Sequence, residues 1–550
     1  MSQEQRTLLA ISMMLGLIIV YQAFFAPKRP PEKPPALPAA GQPAAPAVGP
    51  PAPAPSKPAA AQAEREIPVE TRTLAVTLTT RGGGVKSWRL KDYVVAGEGP
   101  VNIVAPAVPG EAPPLAAWGY MGVPGPEPEE ADRTGLRLTE AEGEGAIVFS
   151  RRDPNGLRTE KRLLFHSEGY LVDVELRLRN EGQEDIPVEP KAVWGPGFLE
   201  GIDRKKAAQW APTTWVDGGR VEDPAKDIKP GAPRLHRGAV AWTALQDTYF
   251  AAALIPEAKG DAAFTAVADD GQPWVGLQAP SARLRPGQEA VFRFKAYGGP
   301  KDIGRLAAAA PQLDRLVNLG RFFFGSWSLI DYGLARPALH LIRLLHSITG
   351  NYGLAIILLT VLVKAIMFPL TQKSLKSMQA MQALQPKIQA IKEKYKNNPQ
   401  KRNQEMADLM RRHNVSGAAG CLPMLAQMPV FIGLYNALSN SIDLWQARFL
   451  WVKDLSAPEH GLFAFAGIDF RPLPLLMGAT QLLQMKMSPS AADPAQAAVM
   501  TYFMPIFMTF IFYSFPSGLV LYWLCFNALQ IGQQYLLNKA REQKAAAPAG

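Results

Sequence analysis

Apolar positions follow two different rules along this chain. From Ile67 to Pro300 they alternate with polar ones in short runs: Leu74–Thr80 (LAVTLTT), Tyr170–Leu178 (YLVDVELRL), Ala239–Leu245 (AVAWTAL) and Ala290–Tyr297 (AVFRFKAY). Turn formers separate the runs: Arg81-Gly82-Gly83-Gly84, Asp153-Pro154-Asn155-Gly156 and Arg285-Pro286-Gly287. A period of two with such breaks predicts antiparallel strands, so residues 64–320 read as one large all-β domain, of a size that suits a big sandwich.

Beyond Leu319 the runs lengthen. Tyr352–Leu370, Ala418–Ser439, Leu473–Met487, Gln496–Phe515 and Gly518–Leu536 predict five membrane helices; four are near the ~20 residues that cross the hydrocarbon, and the third is short. Pro516-Ser517-Gly518 makes the last two a tight hairpin. A sixth run, Thr7–Ala26, opens the chain. Phe24 and Phe25 stand where a signal-peptide cleavage site needs small residues, so residues 1–26 read as an uncleaved anchor. Residues 27–63 are a Pro/Ala-rich linker that cannot bury a core. Lys301–Leu319 reads as a helical connector. Arg336–Ser347, within the connecting stretch 321–349, places Leu339, Ile342 and Leu345 on one face, as in an amphipathic helix at the membrane interface. Its His340 and His346 lack the spacing of a metal pair. The five-span core is then 350–537, and the tail 538–550.

Charge orients these spans. The chain carries a formal net charge of +10. A nucleic-acid protein would place that charge on a basic face interleaved with aromatics; here it flanks apolar spans. Between Thr371 and Asn414 lie Lys373, Lys376, Lys387, Lys392, Lys394, Lys396, Lys401, Arg402, Arg411 and Arg412, against Glu393, Glu405 and Asp408. The positive-inside bias makes this segment cytoplasmic. The loop Asn440–Pro472 is nearly balanced and faces outward. With six spans both termini are cytoplasmic and the β domain is outside. Leu375, Met378, Met381, Leu384, Ile388, Ile391 and Tyr395 step by three and four residues, which predicts an amphipathic helix broken by Asn397-Asn398-Pro399. With Glu405–Arg412 it makes a helical hairpin, 371–415. Two readings of its Met-rich stripe stay open: an adaptable contact surface, or glue between the two arms.

No catalytic set is visible. The five C-terminal spans hold no Asp, Glu or His, and neither a phosphate-binding loop nor a nucleophile elbow is present. Cys421 and Cys525 lie in apolar runs and suggest neither disulfide nor metal. No cofactor is expected, and the chain does not read as an enzyme. Lys364 stands out, a cation inside the run YGLAIILLTVLVKAIMFPL. A charge at the centre of a membrane helix costs about 2.5–3.5 kcal/mol on insertion scales. Either it lines a hydrated cavity, or it snorkels past Pro369 to the interface. Thr360, one turn earlier, shares its face. Gln427, Asn436, Gln481, Gln484, Thr509, Asn527, Gln530 and Gln533 scatter neutral polarity over the other spans. They are either ordinary interhelical bonds or, in part, the lining of a groove that shelters polar peptide from lipid. Met424, Met428, Phe431, Phe507, Phe510, Tyr522 and Trp523 supply bulky apolar side chains beside them.

These C-terminal segments resemble the YidC family of membrane protein insertases. The motifs are GNYGLAIILLTVLVKAIMFPLT, MQALQPKIQAIKEKYKNNPQKRNQEM, GCLPMLAQMPVFIGLY, Gln484-Met485-Lys486-Met487-Ser488-Pro489 and FPSGLVLYW. In the β domain, WTALQDTYFAAALIP and the stretch from Arg285 to Pro300 are similar to the family's Gram-negative members. The resemblance implies a polytopic α-helical membrane protein with a five-helix insertase core and a periplasmic all-β supersandwich, in the bacterial inner membrane. It implies that Lys364, Thr360, Gln427 and Asn527 line a groove for substrate. Met428, Phe431, Phe510, Tyr522 and Trp523 would form an apolar slide, and Lys387, Lys392, Lys394, Tyr395, Arg411 and Arg412 a recruitment surface on the hairpin. It implies nascent membrane proteins, the Sec translocon, the ribosome and the lipid bilayer as partners, with no small-molecule substrate and no specific nucleic-acid recognition. Two departures stand out. Lys364 replaces the family's usual Arg, keeping the charge and losing the bidentate fork. Phe526 replaces a small polar residue. The rivals are a secondary transporter, for which paired inverted repeats and midplane ion ligands are not visible, and a carbohydrate protein using His166, His236 and Glu200.

Overall fold

The computed structural model of the chain describes residues 65–80, 82–95, 99–104, 117–118, 130–134, 145–195, 212–258, 260–267, 271–322, 325–413, 422–465, 468–487 and 499–546. The expected anchor and linker (1–63), Glu200 and Cys421 lie outside the described residues.

The alternating runs are strands. A nine-stranded antiparallel sheet has at its centre Val240–Gln246, Phe250–Pro256, Glu289–Pro300, Leu171–Asn180 and Leu157–Phe165, in that order. Its registers follow the alternation: Phe250 faces Pro300, and Tyr297 faces Leu171. A five-stranded sheet contains Ala262–Val267, Pro273–Gln278 and Lys191–Trp194 and packs against the large sheet. A four-stranded meander, Glu66–Asn102, completes the described sheets of any size. Trp88, Trp194, Trp242, Phe165 and Phe294 are fully buried between the sheets. The turn signals hold as well. Gly82, Gly83, Gly156 and Gly287 all take positive φ, where a Cβ is penalised. Gly83 also offers its carbonyl to the ammonium of Lys161, a lysine only 1% exposed.

Leu306, Leu313, Leu316 and Leu319 seal the end of this domain. They lie on helix α1 (Ile303–Ala309), whose N-terminus is capped by Asp302 accepting from Arg305 N at 2.8 Å, and on the turns after it. Helix α2 (Arg336–Thr349) buries Leu339 and Ile342 and ends at Gly350, φ 66. Helix α3 (Tyr352–Ala383) begins where Asn351 Oδ1 accepts from Gly353 and Leu354.

Two boundaries differ from the sequence expectation. Pro369 was expected to end the first core span, but α3 runs through it to Ala383. Just past the proline, Thr371 Oγ1 donates to the carbonyls of Met367 and Phe368. The break comes at Leu384, where Pro386 starts α4 (Gln385–Lys394). Helix α5 (Pro399–Arg412) begins earlier than Glu405, because Asn398 caps it and Pro399 takes its first position. Met381, Leu384 and Ile388 pack on Met406, Leu409 and Met410. At these positions the stripe is glue between the arms.

Four further helices complete the described core: α6 (Leu422–Asn440), α7 (Pro472–Met487), α8 (Met504–Phe512, preceded by a π-helical turn over Val499–Phe503) and α9 (Ser517–Ala546). Among the described residues, one helix is long and apolar enough to cross a membrane, Tyr352–Met381; Val499–Phe512 is a shorter apolar helix.

The β domain is joined to the helices by charge and by aromatic packing. Arg343 of α2 donates to Asp302 (2.5 Å) and to Asp443 in the loop after α6 (2.8 Å). Trp445 of that loop packs on Tyr93 and Phe250, with ring centroids 5.6 and 5.7 Å away. Ala335, Leu339, Ala437 and Ile442 belong to the same buried cluster as the β-domain core. Arg336, 8% exposed, meets Asp331 and Asp314 and the carbonyl of Val317.

Removing Arg343 leaves two half-buried carboxylates facing each other. Arg343→Ala should lower the unfolding free energy of the purified chain by about 1–3 kcal/mol. Thermal unfolding checks this, and a melting curve equal to wild type refutes it. A second expectation concerns Asp261, which is 3% exposed, with Oδ2 unpaired among the described residues. Burial pushes its carboxyl up to about 6. The folded chain therefore binds this proton more readily than the unfolded one. The cost is present in full above pH 6 and is relieved as pH falls toward 4. Asp261→Asn should stabilise the domain by about 2–3 kcal/mol at pH 7 and have no stabilising effect below pH 4. Denaturant unfolding at both values decides it.

Candidate functional site

Lys364 sits halfway along α3 with its side chain turned into the helix cluster, 6% exposed. Its Nζ donates to Gln530 Oε1 on α9 and lies 4.4 Å from the centroid of the Phe526 ring, one turn earlier on α9. No carboxylate pairs with it among the described residues. The snorkelling alternative is not the arrangement observed. Thr360, one turn below, is fully buried and spends its hydroxyl on Ile356 O at 2.7 Å. Two turns above, Thr371 meets Gln533 at 3.3–3.4 Å, and Gln379 donates to Asn538 at 3.2 Å. A seam of side-chain polar contacts thus runs between α3 and α9.

The other groove candidates are distributed around α9. Gln427 of α6 donates to the hydroxyl of Tyr522 at 2.8 Å. Asn527 faces α7, 3.5 Å from Met477 O and from Thr480 Oγ1. Gln534 donates to Met487 O on α7. Thus Lys364 and Thr360 lie together, while Gln427 and Asn527 meet them only through α9. Lys364's direct partners, Gln530 and Phe526, were singled out in sequence as a scattered amide and a departure from a motif. Their signal was spacing: Tyr522, Phe526, Gln530 and Gln533 step by three and four along one face of α9.

The apolar candidates divide by exposure. Phe510 (65%) and Met428 (42%) are exposed, as are Ile366 and Ile506. Phe431 and Trp523 are half-buried in an aromatic cluster with Phe512, with Phe431–Trp523 centroids 5.2 Å apart. Tyr522 is fully buried, so its ring is a wall of the cluster and not an outer surface. On the hairpin, Lys387, Lys394, Arg411 and Arg412 are exposed, while Lys392 and Tyr395 are half-buried. His166 and His236, the carbohydrate candidates, each meet their own aspartate, Asp173 (2.8 Å) and Asp223 (2.6 Å).

Residues 344–545 match the family model described as 60Kd inner membrane protein, and residues 66–329 the one described as YidC periplasmic domain. A membrane protein insertase YidC of Pelobacter propionicus is 35% identical over 555 residues, covering 98% of this chain and 99% of the relative. The chain belongs to the YidC family. Another YidC, from Oleidesulfovibrio alaskensis, is 36% identical over 503 residues, covering 86% of this chain and 87% of its own. The crystal structure of an active YidC insertase with its first transmembrane domain resolved shares 21% identity, covering 86% of this chain and 93% of that one, at a TM-score of 0.36. The transporter and carbohydrate alternatives are not favoured by this membership.

Within the YidC core, α7 and α8 touch at a glycine. A Cβ on Gly478 would stand 2.0 Å from Thr509 Oγ1. Gly478→Ala should therefore force the helices apart and cost about 1–3 kcal/mol, and Thr509→Ala should recover part of that loss. A double-mutant cycle on detergent-solubilised protein measures it; additive effects would show that the two residues do not touch.

Proposed function

We propose that this chain performs its family's work, insertion of nascent membrane proteins into the inner membrane, through the polar seam beside Lys364. It is a membrane protein insertase and not an enzyme. The observation that carries the mechanism is a buried cation held by a neutral amide and an aromatic ring, with no carboxylate beside it among the described residues. An ammonium so placed attracts acidic residues of a translocating segment more strongly than it would in water. The half-buried amide of Gln427 lowers the cost of bringing polar peptide into this region, while Thr360 and Asn527 keep their polar atoms engaged inside the bundle. Met428 and Phe510, exposed on the outside of the helices, offer the apolar part of a substrate a path to lipid, with Phe431, Trp523 and the buried Tyr522 as the wall behind them. The substrate's own partitioning into hydrocarbon and the membrane potential supply the driving force.

The placement supported by the charge pattern has six spans, with the anchor 1–26 first and the core 350–537 carrying the rest. Both termini and the hairpin 371–415 are cytoplasmic, and the domain 64–320 is periplasmic. Two facing antiparallel sheets of nine and five strands support its reading as a supersandwich. The exposed basic side chains of the hairpin suit recruitment of substrate and of ribosomes, whose RNA is an anionic surface. Cooperation with the Sec translocon belongs to the same proposal.

Charge acting alone makes Lys364→Arg nearly neutral. Lys364→Ala should then reduce insertion of substrates with acidic translocated ends about tenfold, and of neutral ones much less. Protease-protected insertion into liposomes containing only the purified chain reads both, and equal insertion of all substrates by Lys364→Ala overturns the electrostatic mechanism.

A further inference from the structure

Lys364 has three N–H donors and no acceptor of its own. Gln530 Oε1 accepts from it, and the face of Phe526 lies 4.4 Å from the nitrogen. Both partners are neutral, and both lie on α9, one turn apart. We propose that Phe526 and Gln530 form an exchangeable cap over the groove cation, and that the cap sets the chain's preference for acidic substrate segments. This rests on the reading of Lys364 as the groove cation and names the residues that hold it between substrates.

An ammonium buried with no partner at all would be costly enough to shed its proton or pull the helices out of register. A carboxylate partner would hold it too well, because a close ion pair away from water is far stronger than at the surface. An amide oxygen and a ring face lie between these limits. They hold the charge at rest, and an incoming carboxylate outbids them. Lysine suits the arrangement. Its ammonium is a compact point charge on a flexible stem, able to swing from the cap to a passing acid. The two departures from the family pattern, Lys364 and Phe526, are therefore one feature: they meet each other. Gln530 is 8% exposed and Lys364 6%, so the cap is enclosed by protein. Gln530 is a positioning residue, acting on substrate through Lys364.

The test is the ratio of insertion of two single-span substrates that differ only in acidic or neutral translocated ends. Purified full-length chain in liposomes is used for each variant. Gln530→Glu supplies the missing carboxylate, and the acidic-to-neutral ratio should fall about tenfold. Phe526→Leu weakens the cap, and the ratio should rise about threefold. A change that only perturbs packing lowers insertion of both substrates together and leaves the ratio unmoved. Lys364→Ala, measured alongside, separates the two levels of the proposal. If it collapses the ratio while Gln530→Glu and Phe526→Leu match wild type, the cap is wrong and the groove cation stands. If Lys364→Ala leaves the ratio at the wild-type value, the reading of Lys364 itself fails. Should Gln530→Glu not accumulate, Phe526→Leu alone decides, since an unchanged ratio there overturns the cap.

Discussion

Hydrocarbon offers no hydrogen bonds, and the helical core is arranged around that constraint. Most polar side chains that enter it find a partner inside the protein, and Gln481 Oε1 is an exception among the described residues. Thr360 returns its hydroxyl to its own helix at Ile356, and Thr371 does the same at Met367. Gln427 reaches Tyr522, Gln533 reaches Thr371, and Gln534 reaches Met487. Most of these bonds converge on α9, which makes that helix the organiser of the bundle. Such bonds are modest singly, about 0.6 kcal/mol on average between membrane helices. Their joint effect is register: sliding α9 by one turn would strand several amides at once. Lys364 is the extreme member of the set, and the only charged one among these contacts.

On the watery side the same chain uses the opposite device. Arg343 binds two carboxylates 41 and 100 residues away in sequence, tying the end of the β domain to the loop after α6. Trp445 adds an aromatic peg between Tyr93 and Phe250. Partial burial makes charge pairs of this kind more valuable than surface ones. The consequence is mechanical. Helix α2, the loop after α6 and strands of the β domain share one apolar cluster, so packing ties them together. The large domain is thereby packed against the ends of α3 and α6 near residues 352 and 440, the helices that contribute Lys364 and Gln427.

Local rules made the strands legible, and they failed where partners are distant. Alternation in Leu171–Asn180 and a glycine at positive φ in each turn are properties of adjacent residues, so the sheets could be read directly. The first core span was expected to end at Leu370, yet α3 continues through Pro369 to Ala383, with Thr371 and Leu375 buried beyond the proline. The stripe over Met381–Ile388 was correctly seen as apolar, while its partner, the stripe on α5, became clear only when the arms were seen together. Nothing near Arg343 in sequence is acidic, so its two carboxylate partners could not be read from the sequence. Gln530 lies 166 residues from Lys364, and a single sequence holds no signal for that pair beyond the spacing along α9.

That pair also explains how a cation can remain in a membrane helix without being neutralised. Ion pairing would remove the cost of burial and, with it, the function, since a satisfied charge has nothing left to offer a substrate. Leaving the charge bare would be too expensive to fold. A neutral cap is the intermediate solution, and it has a requirement: the cap must be weaker than a carboxylate and stronger than lipid. An amide carbonyl and an aromatic face both meet it. On the proposed reading, a single ammonium at this position gains from a neighbour on α9 placed directly beneath it. Phe526 is in that place. Two residues far from Lys364 along the chain, Phe526 and Gln530, thus meet it at one nitrogen atom.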